Sequence, residues 1–323
     1  MASNALTTSQ IKNLEKQQYR LIGKHSAIKV CNWTKQSLRG KNVCYKKQFY
    51  GIDSWRCIQF TPTVQFCTEN CSFCWRTLRF HNNPADDWDE PAFIVDGMIK
   101  EHVKMLRGFG GNEETPTKLY KEAQQPKHVA ISLSGEPTLY PHLPELIQEI
   151  HKRGMTTFLV TNGTSPAMLR KLVKTPPTQL YVTVAGPTPE ILKKVTKPIL
   201  PNTWDLLMES LSLFKKFPTT TMRLTLVRKL NLLHPDLYAQ LADQFSPRFL
   251  EAKGYVHVGG SQYRLTQDHM PYHREIVSFA KEIEKTSSYK IRDSMVPSRC
   301  VLLAREGTVQ PNWCKAACCR KQL

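Results

Sequence analysis

The chain has 323 residues, 41% of them hydrophobic, which is enough for one large domain or two modest ones with a full core. No stretch approaches the roughly 18 uninterrupted apolar residues that a membrane-spanning helix needs, and residues 1–9 lack the apolar segment of a signal peptide. We therefore expect a cytoplasmic protein without a membrane partner, in which the ten cysteines are ligands or buried thiols rather than disulfides.

The net charge of +18 is distributed unevenly along the chain. Residues 1–50 carry ten Lys and Arg against a single acid, Glu15, so half of the excess lies in less than a sixth of the sequence. A basic surface of this density favours a polyanionic partner, with nucleic acid first and an anionic membrane second. The alternative is a solvated basic face without a partner.

The N-terminal segment combines a predicted helix with three isolated cysteines. Apolar residues at helical spacing predict a helix over 8–21. The cysteines follow at intervals of thirteen positions, a spacing that leaves open a shared metal site or separate buried thiols: Cys31, Cys44 and Cys57. Lys46 and Lys47 lie among aromatic residues between them. A lysine in that setting is a surface charge, a phosphate contact or an amine with a lowered pKa suited to Schiff-base chemistry.

Three more cysteines stand as C-x3-C-x2-C on the loop that follows the apolar run 57–60: Cys67, Cys71 and Cys74. Three close thiolates can hold three irons of a cubic four-iron cluster and leave the fourth iron open. That iron can chelate the amino and carboxylate groups of S-adenosylmethionine (SAM), whose C–S bond is then broken by one electron to give a 5′-deoxyadenosyl radical. Phe73 is suited to contact the adenine. A structural zinc site would need a fourth close ligand, normally in a second cysteine or histidine pair, and none follows. The remaining alternative is three buried structural cysteines.

After this loop, strand-like and helical patterns alternate. A helix is predicted over 94–109, followed by an exposed polar excursion over 111–125. Five apolar runs predict strands: 128–133, 156–160, 180–184, 222–227 and 249–258. Helical patterns lie between and after them: 143–152, 167–173, 189–195, 206–217, 235–245 and 272–284. Five or six such units predict an α/β fold, a partial, open β/α barrel with its site at the C-terminal strand ends.

Candidate ligand-binding residues follow three of these strands. In the S-G-E-P-T motif, Gly135 lets the backbone approach a ligand closely and Glu136 can receive an ammonium group. Taken alone, such a motif is equally typical of a turn. Asn162, in T-N-G-T, can reach a carboxylate or a ribose, and N-G is also a common turn dipeptide. Thr183, at the end of the next strand, is a further candidate contact.

The C-terminal segment holds Cys300 in an apolar run and then a C-x3-C-C pattern: Cys314, Cys318 and Cys319. That pattern is either a metal site or part of a flexible basic tail. We expect a basic N-terminal extension over 1–57, a barrel over 58–300 and a C-terminal tail over 301–323.

These motifs resemble those of known enzymes at two levels. The cysteine loop resembles that of the radical-SAM superfamily, in which a Gly-Glu at the position of Gly135 and Glu136 binds the SAM amino group. The resemblance extends over about 20–305 to the tRNA 4-demethylwyosine synthases, in a short, archaeal-type form without a flavodoxin-like domain. It rests on the six cysteines in their order and on four short segments: 75–76, 134–138, 222–227 and 249–254.

The resemblance implies that Cys31, Cys44 and Cys57 hold a second 4Fe-4S cluster. It implies condensation of N1-methylguanosine at position 37 of tRNA-Phe with carbons 2 and 3 of pyruvate. Lys46 matches the position of the proposed Schiff-base or proton-transfer lysine, with Lys47 as the alternative. The basic N-terminal extension would bind the anticodon stem-loop, and an external flavodoxin or ferredoxin would supply electrons.

One position departs from the family pattern. The family has an acid in the turn after the strand at 180–184, and here Ala185 stands there, so a substrate contact of that acid would be lost or moved. Two other readings remain: a radical-SAM enzyme acting on another RNA or protein substrate, and a zinc-containing RNA-binding protein without catalysis.

Overall fold

The computed structural model describes residues 6–78 and 87–313. Within these ranges ten strands form one sheet: β1 (Arg20–Ile22), β2 (Ser26–Lys29), β3 (Cys57–Thr61), β4 (His128–Ile131), β5 (Thr156–Thr161), β6 (Gln179–Thr183), β7 (Thr220–Leu226), β8 (Phe249–Gly254), β9 (Tyr289–Met295) and β10 (Cys300–Arg305). The sheet order is β1-β2-β3-β4-β5-β6-β7-β8-β10-β9.

The centre of the sheet is a run of six parallel strands, β3 to β8. The hairpin β1–β2 extends one edge antiparallel to β3, and the pair β10–β9 extends the other edge antiparallel to β8. Parallel neighbours need crossover helices, which the alternating pattern supplies. The prediction of a partial, open β/α barrel is confirmed.

Eleven α-helices lie in the described residues: α1 (Thr8–Lys16), α2 (Asn32–Leu38), α3 (Tyr45–Tyr50), α4 (Pro91–Leu106), α5 (Thr117–Ala123), α6 (Leu143–Lys152), α7 (Pro166–Leu172), α8 (Pro189–Thr196), α9 (Thr203–Ser212), α10 (Pro235–Phe245) and α11 (His273–Thr286). Helices α6 and α10 have the predicted bounds, and the others that were predicted after the cysteine loop deviate by a few residues at one or both ends.

Two predicted elements were wrong. The helix predicted over 8–21 ends at Lys16, because Gln18 takes a left-handed backbone with φ of 66° and the chain continues as β1. The polar excursion over 111–125 contains α5, whose Ala123 is fully buried against Leu38 and Leu106. A short helix with one apolar face leaves too few apolar positions for the periodicity to be recognised.

The protein has two large apolar cores, on opposite sides of the sheet. One lies between the strands and the surrounding helices. The other fills the inside of the barrel, where Phe158, Tyr181 and Phe249 from three strands pack with Phe49 and Tyr50 of α3. Helix α3 therefore plugs the barrel interior, although it belongs to the basic N-terminal segment.

The predicted domain boundary at 57 falls on the first residue of β3, and the boundary at 300 on the first residue of β10. Cys314, Cys318 and Cys319 lie outside the described residues. No helix among the described residues is both long and apolar enough to cross a membrane.

Candidate active site

The C-x3-C-x2-C cysteines follow β3 and line one cavity of about 330 Å³. The same cavity is lined by all five of the residues that were predicted to contact the cofactor: Phe73, Gly135, Glu136, Asn162 and Thr183. The structure therefore brings these eight residues together at the C-terminal ends of the parallel strands, which is where barrel enzymes hold their sites.

The cysteine loop is held rigidly by backbone contacts. The Asn70 N–H donates to Thr196 O at 2.9 Å, and the Ser72 N–H donates to Val195 O at 2.8 Å, which fastens the loop to the last turn of α8. Arg264 donates through Nε to Ser72 O at 3.2 Å and through Nη2 to Cys74 O. The loop geometry is therefore fixed by the protein itself.

Burial makes two thiols of this loop, Cys67 and Cys71, weak acids. Desolvation raises the pKa of Cys67 to about 12, and it raises the pKa of Cys71 well above its usual value, with the neighbouring Glu69 carboxyl adding to the effect. The Glu69 carboxyl itself is buried, and desolvation raises its pKa to about 8. A bound cationic group must displace these thiol protons, and an all-sulfur donor set around a cavity suits an iron–sulfur cluster.

Gly135 is required by its backbone and by its neighbours. Its φ is +72°, and a Cβ at this position would lie 1.7 Å from Thr63 O and 2.6 Å from Phe66 O. The Glu136 N–H donates to Phe66 O at 2.7 Å, and the Ser134 hydroxyl donates to Val64 O at 2.8 Å. The S-G-E-P-T segment therefore packs directly against the chain that leads into the cysteine loop.

Glu136 connects the ends of two strands. Its buried carboxylate accepts hydrogen bonds from the Thr138 N–H at 3.1 Å, the Thr161 hydroxyl at 2.6 Å and the Asn162 N–H at 2.8 Å. Desolvation raises the pKa of Glu136, and these donors oppose the rise. The side-chain Nδ2 of Asn162 donates in turn to Thr68 Oγ1 at 2.9 Å, which links this network to the cysteine loop.

The three isolated cysteines line a second cavity of about 210 Å³ together with Lys46. Cys31 and Cys44 occupy the N-cap positions of α2 and α3, and Cys57 begins β3. Both sulfurs therefore lie at helix N-termini, where backbone N–H groups of Trp33 and Thr34 act on Cys31 and that of Lys46 acts on Cys44. Burial raises the pKa of Cys44 to about 11 and that of Cys57 to about 12, so this sulfur set also needs a cation to lose its protons.

Lys46 is buried, with 6% of its surface exposed. Its Nζ lies 4.6 Å from the ring centroids of both Phe158 and Tyr181, and it forms no ion pair or hydrogen bond within the described residues. Desolvation, followed by the nearby Arg223 charge, lowers the pKa of Lys46. Lys47 instead points to the Trp55 ring, at 4.6 Å.

A charged group between the two cavities was not predicted from the sequence. Ser132, Arg223 and Lys253 line both cavities, so the two cysteine sites are neighbours. Arg223 Nη2 donates to Glu251 Oε2 at 3.1 Å, and the Tyr50 hydroxyl donates to Glu251 Oε1 at 2.6 Å. The available signal was the presence of charged residues inside apolar central strands, which segments 222–227 and 249–254 both contain.

Ala185 lies two residues after the end of β6 and is buried in the outer core. Its carbonyl accepts a hydrogen bond from Asn231 Nδ2 at 2.7 Å. It does not line either cavity.

Among the described residues, no three His, Cys, Asp or Glu side chains are close enough to hold a single metal ion.

The partial barrel and its cysteine loop are those of the radical-SAM class, and the family model described as Radical SAM superfamily matches residues 61–241. A second model, described as Wyosine base formation, matches residues 245–305, which include β8, β9 and β10. As a radical-SAM enzyme, the protein uses SAM and an iron–sulfur cluster.

Individual relatives agree with these matches. The chain is 45% identical over 311 residues to the SAM-dependent tRNA 4-demethylwyosine synthase of Pyrococcus abyssi, with 94% of this chain and 91% of the relative covered. It is similar to a structure of TYW1 with a lysine–pyruvate adduct bound, with TM-score 0.86, 36% identity and coverage of 95% and 99%. It is also similar to archaeal TYW1, with TM-score 0.78, 33% identity and the same coverage. The chain belongs to the tRNA 4-demethylwyosine synthases, as the sequence resemblance implied.

Proposed function

We propose that the protein condenses N1-methylguanosine at position 37 of tRNA-Phe with pyruvate to form 4-demethylwyosine. Family membership supports a tRNA substrate and a step of wyosine biosynthesis. The lysine–pyruvate adduct in a relative of the same fold supports pyruvate as the second substrate. The observation that carries the proposal is the buried amine of Lys46, which faces a cysteine-lined cavity next to the first one.

Two 4Fe-4S clusters fit the two sulfur sets. Cys67, Cys71 and Cys74 would hold the cluster that, with SAM bound, supplies the 5′-deoxyadenosyl radical. The other three cysteines would hold the second cluster: Cys31, Cys44 and Cys57. The protein contributes the two pre-formed sulfur sets and the close spacing of their cavities, which shortens the distance between the radical source and the second substrate.

The polar residues of the first cavity are suited to orient SAM. Phe73 would contact the adenine, and Gly135 and Glu136 would receive the methionine ammonium. Asn162 and Thr183 would contact the carboxylate or the ribose. The Glu136 carboxylate is already oriented by Thr138, Thr161 and Asn162, so little reorganisation is needed when the cation of the substrate arrives.

Lys46 is proposed as the residue that binds pyruvate covalently. Its neutral amine attacks C2 of pyruvate, the carbonyl oxygen leaves as water and an imine forms between Nζ and C2. A lysine is nucleophilic only without its proton, and the desolvation of Lys46, followed by the nearby Arg223 charge, lowers its pKa and favours that neutral form. Lys47 is less suited because it contacts Trp55 and does not line the cavity.

The basic N-terminal residues would bind the phosphates of the anticodon stem-loop, with the base at position 37 flipped out toward the first cavity. An external flavodoxin or ferredoxin would supply the electrons, and we propose that the enzyme works in the cytoplasm.

The test is an anaerobic reaction. The protein is reconstituted with iron and sulfide and given dithionite, SAM, pyruvate and tRNA-Phe carrying N1-methylguanosine at position 37, and the digested tRNA is examined by mass spectrometry. We expect a tricyclic nucleoside that forms only when pyruvate is present. Release of 5′-deoxyadenosine without that nucleoside would refute the substrate assignment and point to a radical-SAM enzyme with another substrate. A protein that retains zinc and no iron would refute both the substrate assignment and the proposed radical chemistry.

Variants separate the roles within the site. The triple variant Cys31→Ala, Cys44→Ala, Cys57→Ala should lose about half of the bound iron and all product, whereas loss of product without loss of iron would contradict the second cluster. Lys46→Ala should abolish the product but still release 5′-deoxyadenosine. Lys47→Ala tests the neighbouring lysine. If Lys47→Ala loses the product and Lys46→Ala keeps it, the imine role belongs to Lys47. Borohydride reduction followed by peptide mapping locates the pyruvate adduct directly.

A further inference from the structure

The wall between the two cavities contains two cations to which the proposed reaction assigns no role. Arg223 on β7 and Lys253 on β8 both line the cavity of the cysteine loop and the cavity of Lys46. They are close because β7 and β8 pair in parallel, with Arg223 opposite Glu251 and Thr225 opposite Lys253. Consecutive inward positions of neighbouring strands therefore place both charges in one part of the barrel interior.

Arg223 is held in a single orientation. Its Nε and Nη2 donate to Glu251 Oε2 at 3.2 and 3.1 Å, and Nη2 also donates to the Tyr45 hydroxyl. Its guanidinium carbon lies 4.6 Å from the Tyr181 ring centroid. Within the described residues Nη1 forms no hydrogen bond, so one donor edge of a fixed guanidinium remains for a ligand.

Lys253 has no carboxylate partner within the described residues. Its Nζ donates to Ser298 O at 3.0 Å and lies 5.0 Å from the Tyr45 ring centroid. An ammonium group has three donors, of which this contact uses one. Among the described residues, and leaving the cysteines and the neutral amine of Lys46 aside, Arg223 and Lys253 share the one carboxylate of Glu251, which pairs with Arg223. One partly buried positive charge, that of Lys253, is therefore left for an anionic ligand to balance.

We propose that Arg223 and Lys253 form a carboxylate-binding pair and that Lys253 makes the enzyme select a 2-oxo acid over an uncharged ketone. The proposal rests on the proposed function, because it assigns the carboxylate of the substrate whose carbonyl reacts with Lys46. Arg223 supplies a fixed donor edge and Lys253 supplies the unbalanced charge. The methionine carboxylate of SAM offers the same chemistry from the first cavity, and the experiment distinguishes the two sources.

The experiment measures how much adduct forms on Lys46 as ligand concentration rises. Anaerobically reconstituted enzyme is mixed with pyruvate, or with methyl pyruvate as the uncharged analogue, and reduced with borohydride. The adduct is quantified by peptide mass spectrometry. Wild-type enzyme should reach half-saturation at a much lower concentration of pyruvate than of methyl pyruvate. Lys253→Met, which keeps the length of the side chain and removes its charge, should raise the half-saturating pyruvate concentration roughly 10- to 100-fold, the value of one charge-assisted hydrogen bond.

Three comparisons make the result specific. Methyl pyruvate should be affected less than threefold by Lys253→Met, and Lys253→Arg should restore most of the selectivity. Lys281→Met removes an exposed lysine of α11 and should behave as wild type. Iron content and the melting temperature show whether each variant is folded, and a Lys253→Met protein that fails to fold leaves Lys253→Gln and Lys253→Arg to be compared in the same way.

The outcomes separate this proposal from the proposed function. If wild-type enzyme forms neither a pyruvate adduct nor the tricyclic nucleoside, the proposed function itself fails. If wild-type enzyme forms both, and Lys253→Met keeps the preference for pyruvate, the carboxylate pair is wrong. Weaker SAM binding in equilibrium dialysis, together with unchanged pyruvate saturation, would assign the pair to the methionine carboxylate and would also overturn the proposal.

Discussion

Replacing Gly135 with alanine should separate the conformational role of this glycine from its role in packing the proposed SAM site. Gly154, which follows α6, is a matched control because it has almost the same backbone, with φ of +73° against +72°. Both replacements put an L-residue into the left-handed region, which costs roughly 1–2 kcal/mol. The two sites differ in what the new methyl group meets.

At Gly154 a Cβ meets nothing within 4 Å, so Gly154→Ala should cost only the backbone strain, or roughly 2–4 °C in melting temperature. At Gly135 the Cβ would lie 1.7 Å from Thr63 O, a backbone atom that must move to at least 3.0 Å. That displacement exceeds 1 Å and separates the S-G-E-P-T segment from the chain that carries the cysteines. Because a misplacement of about 1 Å can reduce a rate 10²-fold, we expect a loss of SAM cleavage of about that size.

The assay is the release of 5′-deoxyadenosine by reconstituted enzyme with dithionite and SAM, with iron content and melting temperature measured on the same samples. Gly154→Ala should cleave SAM at nearly the wild-type rate. Gly135→Ala should bind iron, because none of its cysteines is changed, but should cleave SAM about 100 times more slowly. Equal cleavage rates in the two variants would show that the close packing at Gly135 has no part in SAM cleavage.

Three further perturbations test other parts of the structure. Glu251→Leu should lower the free energy of unfolding by roughly 3–5 kcal/mol, because it leaves the Arg223 charge buried without its partner; adding Arg223→Met should recover most of the loss in denaturant unfolding. His102 is buried, forms no hydrogen bond within the described residues, and has a pKa lowered by desolvation from 6.5 to about 4. The unfolded chain therefore binds its proton first, so stability should fall by about 3 kcal/mol as the pH drops from 6.5 to 4, and His102→Leu should remove that part of the fall. Arg264→Met removes two hydrogen bonds to the cysteine loop and should increase the rate of iron loss to a chelator roughly tenfold.

Each of these has an outcome that contradicts it. A double variant of Arg223 and Glu251 that is no more stable than Glu251→Leu alone would mean that the buried charge is not the cause. An unchanged pH dependence in His102→Leu would assign the acid sensitivity to other groups, of which His128, with its pKa lowered to about 3, is the next to replace. Iron loss from Arg264→Met at the wild-type rate would mean that the contacts to α8 hold the loop by themselves.

The sequence predicted the barrel and the first cavity well, because both depend on local patterns. Strand–helix alternation is a periodicity, and the cysteine loop, Gly135 and Asn162 each lie just after a predicted strand, where parallel strands bring loops together. The wall between the cavities was not predicted. Arg223 and Lys253 are charges in apolar strands, but deciding that they point inward requires the sheet register, which pattern alone does not give.

Helix α3 was the larger omission, and it explains why the two cysteine sets are neighbours. Barrel interiors are normally filled by apolar side chains from the strands. Here α3 supplies Phe49 and Tyr50 to that interior, and its first residues bring Cys44 and Lys46 inside with them. The apolar side of the helix is therefore what positions the Cys44 thiol and the Lys46 amine in the second cavity, next to the first.

The same packing has an electrostatic consequence. Lys253 lies partly buried in the barrel without a carboxylate partner among the described residues, and a fold selected only for stability would replace it with an apolar residue or provide an acid. Charges that are kept buried and unbalanced are typical of sites that bind or react with an oppositely charged molecule. Because Glu251 already accepts hydrogen bonds from Arg223 and Tyr50, the proposed pair would take the carboxylate that balances Lys253 from the substrate. A ligand that binds only the folded protein stabilises it, so pyruvate should raise the melting temperature of wild-type enzyme and should have a much smaller effect on Lys253→Met.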